Sequence, residues 1–327
     1  MSMANTQLLV HQSDKFFVAG HRGMAGSAIC RALNHAGYRN QITASRQELD
    51  LLDPLAVDSW MKEHHPDVVV VAAAKVGGIL ANNTYPADFL LENLKIQNNL
   101  IEASWRQGAR RLLFLGSSCI YPKFSEQPIR EESLMTGSLE PTNEWYAIAK
   151  IAGIQLCRAL RIQHGFDAIS LMPTNLYGPG DNYHSSHSHV MAALIRRFTE
   201  AKQNNVKEVT CWGTGSPKRE FLHVDDLARA VVFCLENWSY QASEEAPSFL
   251  NVGTGIDLSI KELATLIGRL TGFQGEITWD LSKPDGTPRK LLDVGRINKL
   301  GWRAEISLES GINKVLNELG TYPDFKD

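Results

Sequence analysis

Two hydroxyls and a thiol follow one apolar run of the chain. Ser117, Ser118 and Cys119 lie in the segment GSSCIYP, directly after the apolar residues 112–115. The run predicts a buried strand, and the carboxyl end of a parallel strand is where α/β proteins place reactive groups. There, a hydroxyl can hydrogen-bond a substrate oxygen, and a deprotonated thiol can remove a proton. The segment therefore indicates acid–base chemistry at the end of this strand.

A tyrosine and a lysine four residues apart form a second candidate pair. Tyr146 and Lys150 lie in EWYAIAK on a predicted helix, so both side chains leave the same face. A nearby ammonium lowers the pKa of a phenol, and we expect Tyr146 to exchange protons nearer neutral pH. Because this spacing also occurs on ordinary helices, the pair gains its weight from Ser117 upstream.

These candidates require elements that bring strand ends together. In the first half, strands are predicted at 16–20, 42–45, 67–74, 110–118 and 166–175, alternating with helices at 24–37, 55–65, about 87–107 and 146–164. All-apolar strands alternating with helices are typical of a doubly wound parallel sheet of the Rossmann type, an α/β fold with both faces covered.

The pattern changes after Tyr177 to a loop rich in glycine and histidine. Further helices are predicted at 190–203, from about 224, at 260–271 and after 307, and strands at 209–212, 249–253 and 276–280. We predict a nucleotide-binding domain over 15–177 plus about 220–255. An interleaved, smaller mixed substrate-binding lobe is expected over 178–219 plus about 256–327, and residues 1–14 are expected to be a flexible extension.

Composition excludes several classes of function. The formal net charge is −3 with scattered basic residues, so we expect no nucleic-acid partner and no membrane surface. No apolar run is long enough for a membrane span, and the N-terminus lacks a signal-peptide pattern. Five widely spaced cysteines without CxxC spacing favour a reducing, cytoplasmic compartment. No metal site is predicted, because no set of cysteines or carboxylates completes a ligand set with the histidines at 184, 187 and 189.

The turn after the first predicted strand indicates a dinucleotide site. In GHRGMAG, Gly20, Gly23 and Gly26 let the backbone approach a pyrophosphate at the N-terminus of the next helix. The alternative is a tight turn that is glycine-rich without holding a ligand.

The end of the second predicted strand bears on which dinucleotide binds. An NAD enzyme normally has an acidic residue there for the ribose diol, but this chain has Ser45 and Arg46. Arg46, together with Arg22, suits a 2′-phosphate, so we predict NADP(H). A solvated arginine is the alternative.

Together, these motifs resemble the extended branch of the short-chain dehydrogenase/reductase superfamily, which acts on nucleotide sugars. Within it, the GDP-L-fucose synthase family is most similar, since GHRGMAGSAI, LGSSCIYPK, EPTNEWYAIAK, REFLHVDD and KPDGTPRKLLDV resemble its segments in order. The resemblance implies an NADPH-dependent oxidoreductase that is also an isomerase. Its substrate would be GDP-4-dehydro-6-deoxy-D-mannose, epimerised at C3 and C5 and then reduced at C4 to GDP-L-fucose. It also implies a homodimer.

The resemblance also implies roles for the candidate residues. Cys119 would be the base and His189 the opposing acid at C3 and C5, whose protons are acidified by the C4 ketone. Ser117 would hydrogen-bond the C4 oxygen, Tyr146 would protonate it, and Lys150 would hold the nicotinamide ribose and tune the tyrosine.

Binding residues follow from the same resemblance. The implied cofactor set is Gly20, His21, Arg22, Gly23, Met24, Ala25, Gly26, Ser45, Arg46, Leu115, Gly116, Ser117, Ser118, Tyr146, Lys150, Pro173, Thr174, Asn175, Leu176 and His189. For the GDP moiety it indicates Arg197, Trp212, Arg219 and Asp285. Arginines offer forked donors to a diphosphate, and an indole offers a flat apolar wall. A core position is the alternative for Trp212.

Two other functions remain open at this point. One is another nucleotide-sugar epimerase or dehydratase of the same superfamily, which regenerates a tightly held NAD and does not need a pair such as Cys119 and His189. The other is a non-catalytic NADP-binding scaffold on this fold, which would typically lack the Tyr146–Lys150 pair.

Overall fold

The computed structural model describes residues 9–185, 188–239, 248–283, 285–320 and 325. Its first half alternates strands and helices: β1 (Phe16–Ala19), α1 (Met24–His35), β2 (Gln41–Ile42), α2 (Pro54–His64), β3 (Val68–Val71), α3 (Ile79–Thr84), α4 (Pro86–Arg106), β4 (Arg111–Leu115), α5 (Glu144–His164) and β5 (Asp167–Pro173). Short 3-10 turns at Ser118–Ile120, Glu131–Ser133 and Pro141–Asn143 lie between β4 and α5.

The second half is more mixed. It contains β6 (Asn175–Tyr177), α6 (Val190–Gln203), β7 (Glu208–Trp212), β8 (Lys218–His223), α7 (Val224–Asn237), β9 (Phe249–Val252), β10 (Asp257–Ser259), α8 (Ile260–Thr271), β11 (Glu276–Asp280), β12 (Arg289–Lys290), α9 (Gly295–Leu300) and α10 (Leu308–Leu319). The sequence did not predict β6, β8, β10, β12 or α9.

The central sheet has six strands in the order β2–β1–β3–β4–β5–β9, and every neighbouring pair is parallel. The residues of β1, β3, β4 and β9 are all buried, which explains why these strands are mostly apolar, with Arg111 in β4 and Asn251 in β9 as the polar exceptions. From β1 the chain goes to β2 on one side and then to β3 on the other. The connections after β1 and β3 therefore leave in opposite directions and open a crevice at the carboxyl ends of these two strands. The predicted doubly wound α/β fold with a smaller mixed lobe is confirmed.

Helices α4 and α5 cover the sheet beside β3 and β4, and the two helices also pack on each other. The approach of α5 to β4 is very close, because a Cβ on Gly153 would lie 2.6 Å from the ring of Phe114. Gly165, at φ 67°, ends α5 in the left-handed conformation that favours glycine. None of the described helices combines the length and apolar character needed to cross a membrane.

The smaller lobe has its own core and its own sheets. β8 is its central strand, paired with β6 and β12 in parallel and with β10 antiparallel, while β7 and β11 form a separate parallel pair. Tyr177, Phe198, Phe221 and Ile267 are among the side chains of this second core. The change of core falls within β8, because Phe221 packs in the second core and Leu222 in the first.

Two segments differ from the predicted domain boundaries. Residues 9–14 were assigned to a flexible extension, but Val10 is buried and Asp14 forms an ion pair with Arg110. Residues 292–302 were assigned to the smaller lobe, yet Ile297 and Trp302 pack in the first core. In both cases the deciding contacts are tertiary, so local sequence pattern does not reveal them. Residues 1–8 of the predicted extension lie outside the described residues.

A buried arginine at the start of β4 ties three elements of the first domain together. The Arg111 side chain is 1% exposed, forms an ion pair with Asp167 on β5, and donates to the carbonyls of Cys234 and Trp238. We expect Arg111→Met to lower the free energy of unfolding by about 3 kcal/mol, because it leaves buried acceptors without donors. Urea denaturation measures this loss.

The matched control for that variant is Arg106→Met. Arg106 forms its ion pair with Glu102 in solvent, both side chains being more than half exposed, so the expected loss is below about 0.5 kcal/mol. Equal losses for the two variants would contradict a special role for the buried guanidinium.

Candidate active site

Three of the predicted proton-exchanging side chains meet at the carboxyl end of β4. Ser117 begins the 3-10 turn Ser118–Ile120 and accepts a hydrogen bond from the backbone N–H of Cys119. The Sγ of Cys119 lies 3.2 Å from the Oγ of Ser117, and Ser117 is near enough to the phenol of Tyr146 to lower its pKa against the effect of burial. One hydroxyl therefore lies beside both the thiol and the phenol.

Lys150 completes this cluster from one turn further along α5. Its side chain is buried, with Nζ donating to the carbonyl of Leu115 at 2.9 Å and lying 5.8 Å from the centroid of the Tyr146 ring. Burial lowers the pKa of Lys150 to about 8, which the charge of Cys119 partly offsets. The structure thus brings Ser117, Cys119, Tyr146 and Lys150 together.

The protonation states of the cluster differ from the sequence-based expectation. We expected a lowered pKa for Tyr146, but burial and the nearby charge of Cys119 raise it. Burial likewise raises the pKa of Cys119, against the opposing effects of Lys290, Ser117 and Lys150. The reason in both cases is desolvation of the anionic form, which outweighs the neighbouring ammonium groups. Phenol and thiol are therefore both protonated at neutral pH.

Lys290 on β12 is a site residue that sequence reasoning missed. Its ammonium is the largest electrostatic influence lowering the pKa of Cys119, ahead of Lys150. The segment that carries it bonds to the loop after Cys119, since Ile129 N–H donates to the Leu291 carbonyl at 2.7 Å. The motif KPDGTPRKLLD contained this lysine, but only the pairing of distant strands brings it to the site.

The glycine turn after β1 has the shape of a phosphate cradle. Gly20 has φ 90°, and a Cβ there would lie 2.7 Å from the backbone of Ala73, while a Cβ on Gly26 would lie 2.1 Å from the Gly20 carbonyl. Gly23 caps α1 without a side-chain hydrogen bond, and the first turn has no acidic residue. A phosphate can therefore take the place of a cap on these N–H groups. The predicted residues His21, Arg22, Met24 and Ala25 lie on this turn and the start of α1.

The end of β2 has basic groups and one carboxylate. Ser45 is buried and its N–H donates to Glu48, whereas Arg46 and Arg22 are exposed. The bonds from Ser45, together with the charges of Arg22 and His21, lower the pKa of Glu48. Both predicted arginines are therefore accessible to solvent or to a 2′-phosphate at this edge of the central sheet.

The remaining predicted cofactor residues lie at the ends of β4, β5 and β6. Leu115 ends β4 and Gly116 follows it, Pro173 ends β5, Thr174 comes next, and Leu176 lies within β6. Thr174 and Asn175 both donate to the backbone carbonyl of Glu220, the latter at 2.8 Å. His189 is the N-cap of α6, at an exposed position where partial desolvation of the ring lowers its pKa, and His187 lies outside the described residues.

The predicted GDP-binding residues lie in the smaller lobe. Trp212 ends β7 with 60% of its surface exposed, so the core alternative is wrong, and the Lys283 ammonium lies 5.5 Å from its ring centroid. Asp285 accepts from the N–H and the hydroxyl of Thr214 in the turn after β7, at 2.7 and 2.8 Å. Arg197 on α6 donates to the carbonyl of Thr210. An exposed indole thus stands beside an ordered turn and two basic side chains.

Arg219 and Lys290 form a half-buried pair of like charges. They are register partners in the parallel pairing of β8 with β12, so both side chains leave the same face of the sheet. Burial lowers the pKa of both, and for Lys290 the charge of Arg219 adds to this effect. Glu140, held by Lys123 at 3.0 Å, is the carboxylate that counters both cations. Two cations held this close favour a doubly charged anion.

Within the described residues, no group of three or more histidine, cysteine or acidic side chains is arranged to hold a metal ion.

Residues 16–253 match the sequence pattern described as the NAD dependent epimerase/dehydratase family. The chain belongs to this family. The matched span begins with β1 and ends just after β9, so it includes the glycine turn and the cluster around Tyr146.

Individual relatives extend the similarity to both lobes. GDP-L-fucose synthase 1 of Arabidopsis thaliana is 56% identical over 304 residues, 93% of this chain and 92% of its own. GDP-L-fucose synthase of Escherichia coli (strain K12) is 54% identical over 302 residues, 91% of this chain and 94% of its own. Among solved structures, a GDP-L-fucose synthetase of Naegleria fowleri bound to NADP has a TM-score of 0.85 at 25% identity, covering 95% of each chain. The family resemblance inferred from the motifs is confirmed.

The coupling between Lys290 and Cys119 predicts a measurable change in thiol reactivity. Because the ammonium stabilises the thiolate, Lys290→Met should move the inflection of Cys119 alkylation by iodoacetamide to higher pH. At pH 8 we expect alkylation to be about two- to tenfold slower, since each pKa unit changes the thiolate fraction about tenfold. Mass spectrometry of the Cys119 peptide measures the rate.

Lys261→Met is the control for this experiment. Lys261 is exposed on α8, so its removal should leave the inflection in place. An unchanged inflection in Lys290→Met, even with a different maximal rate, would show that Lys290 does not act on the thiol.

Proposed function

We propose that this chain is a bifunctional NADPH-dependent GDP-4-dehydro-6-deoxy-D-mannose 3,5-epimerase and 4-reductase that produces GDP-L-fucose. The observation that carries the proposal is the position of Ser117, which hydrogen-bonds the thiol of Cys119 and lies close enough to the phenol of Tyr146 to lower its pKa. It joins a thiol suited to proton removal with a hydroxyl, phenol and ammonium suited to ketone reduction. The names of the relatives from Arabidopsis and E. coli support the same substrate.

The cofactor in this proposal is NADP(H), which when bound supplies the hydride for C4. The glycine turn, with Gly20, Gly23 and Gly26, would hold its pyrophosphate, and Arg22 and Arg46 would face its 2′-phosphate. Lys150, one helical turn beyond Tyr146, would hold the nicotinamide ribose. The NADP bound to the Naegleria fowleri synthetase supports this assignment.

In the epimerase reaction, Cys119 would remove the proton from C3 or C5, giving an enolate whose negative charge lies on the C4 oxygen. Ser117 and Tyr146 would hydrogen-bond that oxygen, and His189 would return a proton to the opposite face. The raised pKa of Cys119 means that the thiolate must be stabilised as it forms, for which Lys290 and Lys150 are the nearby cations. The neutral imidazole favoured at His189 would need to acquire a proton before it can act as the acid.

In the reduction, Tyr146 would donate its proton to the C4 oxygen as the carbonyl carbon accepts hydride. The raised pKa of Tyr146 suits this direction, because the phenol is protonated and ready to donate at neutral pH. Lys150 would then stabilise the phenolate that remains. Ser117 would hold the same oxygen in both reactions, which is why one cluster can serve the two in turn.

The nucleotide part of the substrate would bind in the smaller lobe. Arg219 and Lys290 would contact the diphosphate, Trp212 would provide a wall for the guanine, and Arg197 and Asp285 would contribute polar contacts. The division of the chain into a cofactor domain and a substrate lobe remains part of this proposal. We also propose a cytoplasmic location, because Cys30, Cys119, Cys157, Cys211 and Cys234 are all free.

Deuterium exchange tests the proposed function without requiring reduction. In D2O with NADP⁺ in place of NADPH, the wild type should incorporate deuterium at C3 and C5 of GDP-4-dehydro-6-deoxy-D-mannose. Cys119→Ser should slow this exchange at least about 100-fold, because a serine hydroxyl loses its proton far less readily than a thiol and so cannot supply the base. Mass spectrometry of the sugar nucleotide follows the exchange.

Tyr146→Phe is the reciprocal variant. It should keep measurable exchange but lower NADPH oxidation about 100-fold or more, since the proton donor for C4 is lost. A wild type that neither exchanges deuterium nor oxidises NADPH with this substrate would overturn the proposed function. NADPH oxidation without any exchange would leave a reductase that lacks the epimerase activity.

We further propose a homodimer formed through α4 and α5. Their outer faces carry large apolar side chains that are well exposed in the single chain, with Leu91 at 55%, Ile148 at 36% and Ile162 at 68%. Ile148 and Ile162 are fourteen residues apart, close to four helical turns, so they lie on one stripe of α5. An apolar stripe of this kind is typical of a helix that packs on a partner.

Sedimentation velocity at micromolar concentration should show a dimer for the wild type and a shift to monomer for Leu91→Glu. Leu55→Glu is the control, because Leu55 is 78% exposed on α2, a helix that is not part of the proposed contact. A monomeric wild type, or dissociation by Leu55→Glu as well, would contradict this interface.

A further inference from the structure

A buried carboxylate lies directly behind the cation pair of Arg219 and Lys290. Glu220, on β8, has no solvent exposure, and both oxygens of its carboxylate accept hydrogen bonds from backbone N–H groups. Oε1 accepts from the N–H groups of Thr254 and Gly255 at 2.6 and 2.7 Å, and Oε2 accepts from the N–H of Leu292 at 3.0 Å. Burial raises the pKa of Glu220, and the backbone donors oppose this shift because they stabilise the ionised carboxylate.

The three N–H groups belong to the two segments on either side of β8. Leu292 lies two residues beyond Lys290, the last residue of β12. This strand pairs with β8 on one edge. Thr254 and Gly255 form the turn that leads into β10, which pairs with β8 on the other edge. One carboxylate therefore fixes both neighbours of the strand that carries Arg219.

The direction of the side chains separates Glu220 from the ligand itself. Consecutive residues of a strand point to opposite faces, so Glu220 faces away from the side on which Arg219 and Lys290 stand. Its backbone carbonyl accepts from Thr174 and Asn175, which anchors β8 to the end of β5 as well. Any effect of Glu220 on the ligand must act through the backbone.

The fit around the carboxylate leaves no room for a larger neighbour. A Cβ on Gly253 would lie 2.2 Å from Oε1 of Glu220, so the glycine permits the approach that makes these hydrogen bonds. This contact offers a way to displace the carboxylate without removing it.

We propose that Glu220 is a positioning residue whose buried carboxylate holds β12 against β8, so that Arg219 and Lys290 stand side by side as the anion site for a nucleoside diphosphate. The two cations repel each other and both are partly desolvated, so a link that resists separation of their strands helps to hold them side by side. Charge-assisted bonds to backbone N–H groups are strong enough to serve as that link. The inference rests on the proposed function, which places the diphosphate of the substrate at these two side chains.

The test is the affinity for GDP, measured by isothermal titration calorimetry in the presence of NADP⁺. Glu220→Gln keeps the size of the side chain but presents an amide NH2 to a backbone donor. We expect GDP to bind about tenfold more weakly, the KM for the sugar nucleotide to rise similarly, and kcat to change less than about threefold. Gly253→Ala should have the same effects, because its methyl group displaces the carboxylate.

Asp226→Asn is the matched control. Asp226 is also fully buried and accepts from two backbone N–H groups, those of Glu305 and Ile306 at 3.1 and 2.9 Å, but these tie down the segment before α10. This variant should lower the melting temperature as Glu220→Gln does, while its GDP affinity stays within about twofold of wild type. NADPH binding monitored by fluorescence should stay within about twofold for all variants, which confirms folded protein.

The outcomes separate this inference from the proposed function. Unchanged GDP affinity in both Glu220→Gln and Gly253→Ala would overturn the positioning role, as would an equal loss in Asp226→Asn. If Glu220→Gln does not fold, Gly253→Ala alone decides between these results. A wild type that binds no GDP at all would instead overturn the substrate class in the proposed function.

Discussion

The close packing of α5 on β4 is the contact on which the candidate site depends. Gly153 lets the helix approach the Phe114 ring, and one turn earlier the Lys150 ammonium reaches the carbonyl of Leu115 at the end of the strand. Since Tyr146 lies a further turn back, the same approach brings its phenol to Ser117. A larger residue at 153 would move the helix outward and separate the phenol and ammonium of α5 from the hydroxyl and thiol of the β4 loop.

This packing also determines the charge states of the cluster. Because Tyr146, Lys150 and Cys119 are largely removed from water, each favours its neutral form more than it would in solution, and the effects of nearby charges only partly compensate. A neutral phenol suits proton donation, whereas a neutral thiol would have to be ionised during the proposed reaction. The cations around Cys119 therefore matter most when charge develops, which is where electrostatic stabilisation accelerates a reaction.

The sequence was sufficient for features that are local or strongly periodic. The apolar runs located the strands of the main sheet, the four-residue spacing put Tyr146 and Lys150 on one helical face, and the glycine turn followed β1 as expected. Lys290 was missed because β12 has only two residues and shows no alternation, and its partner β8 lies about seventy positions away. The direction of the pKa of Tyr146 was wrong because burial depends on tertiary packing, which the spacing of two residues does not report.

The same distinction explains why the smaller lobe resists prediction while carrying much of the binding chemistry. β8 passes from one core to the other, and its consecutive residues have unlike tasks: Arg219 faces the site, Glu220 binds backbone N–H groups behind it, and Leu222 packs in the first core. In REFLHVDD these residues form a pattern of two charged residues followed by apolar ones. This pattern does not indicate which strands or backbone groups the charged side chains will contact. The charged residues are brought together only when β10 and β12 assemble on either edge, so the proposed substrate site and the joining of the two lobes depend on the same strand.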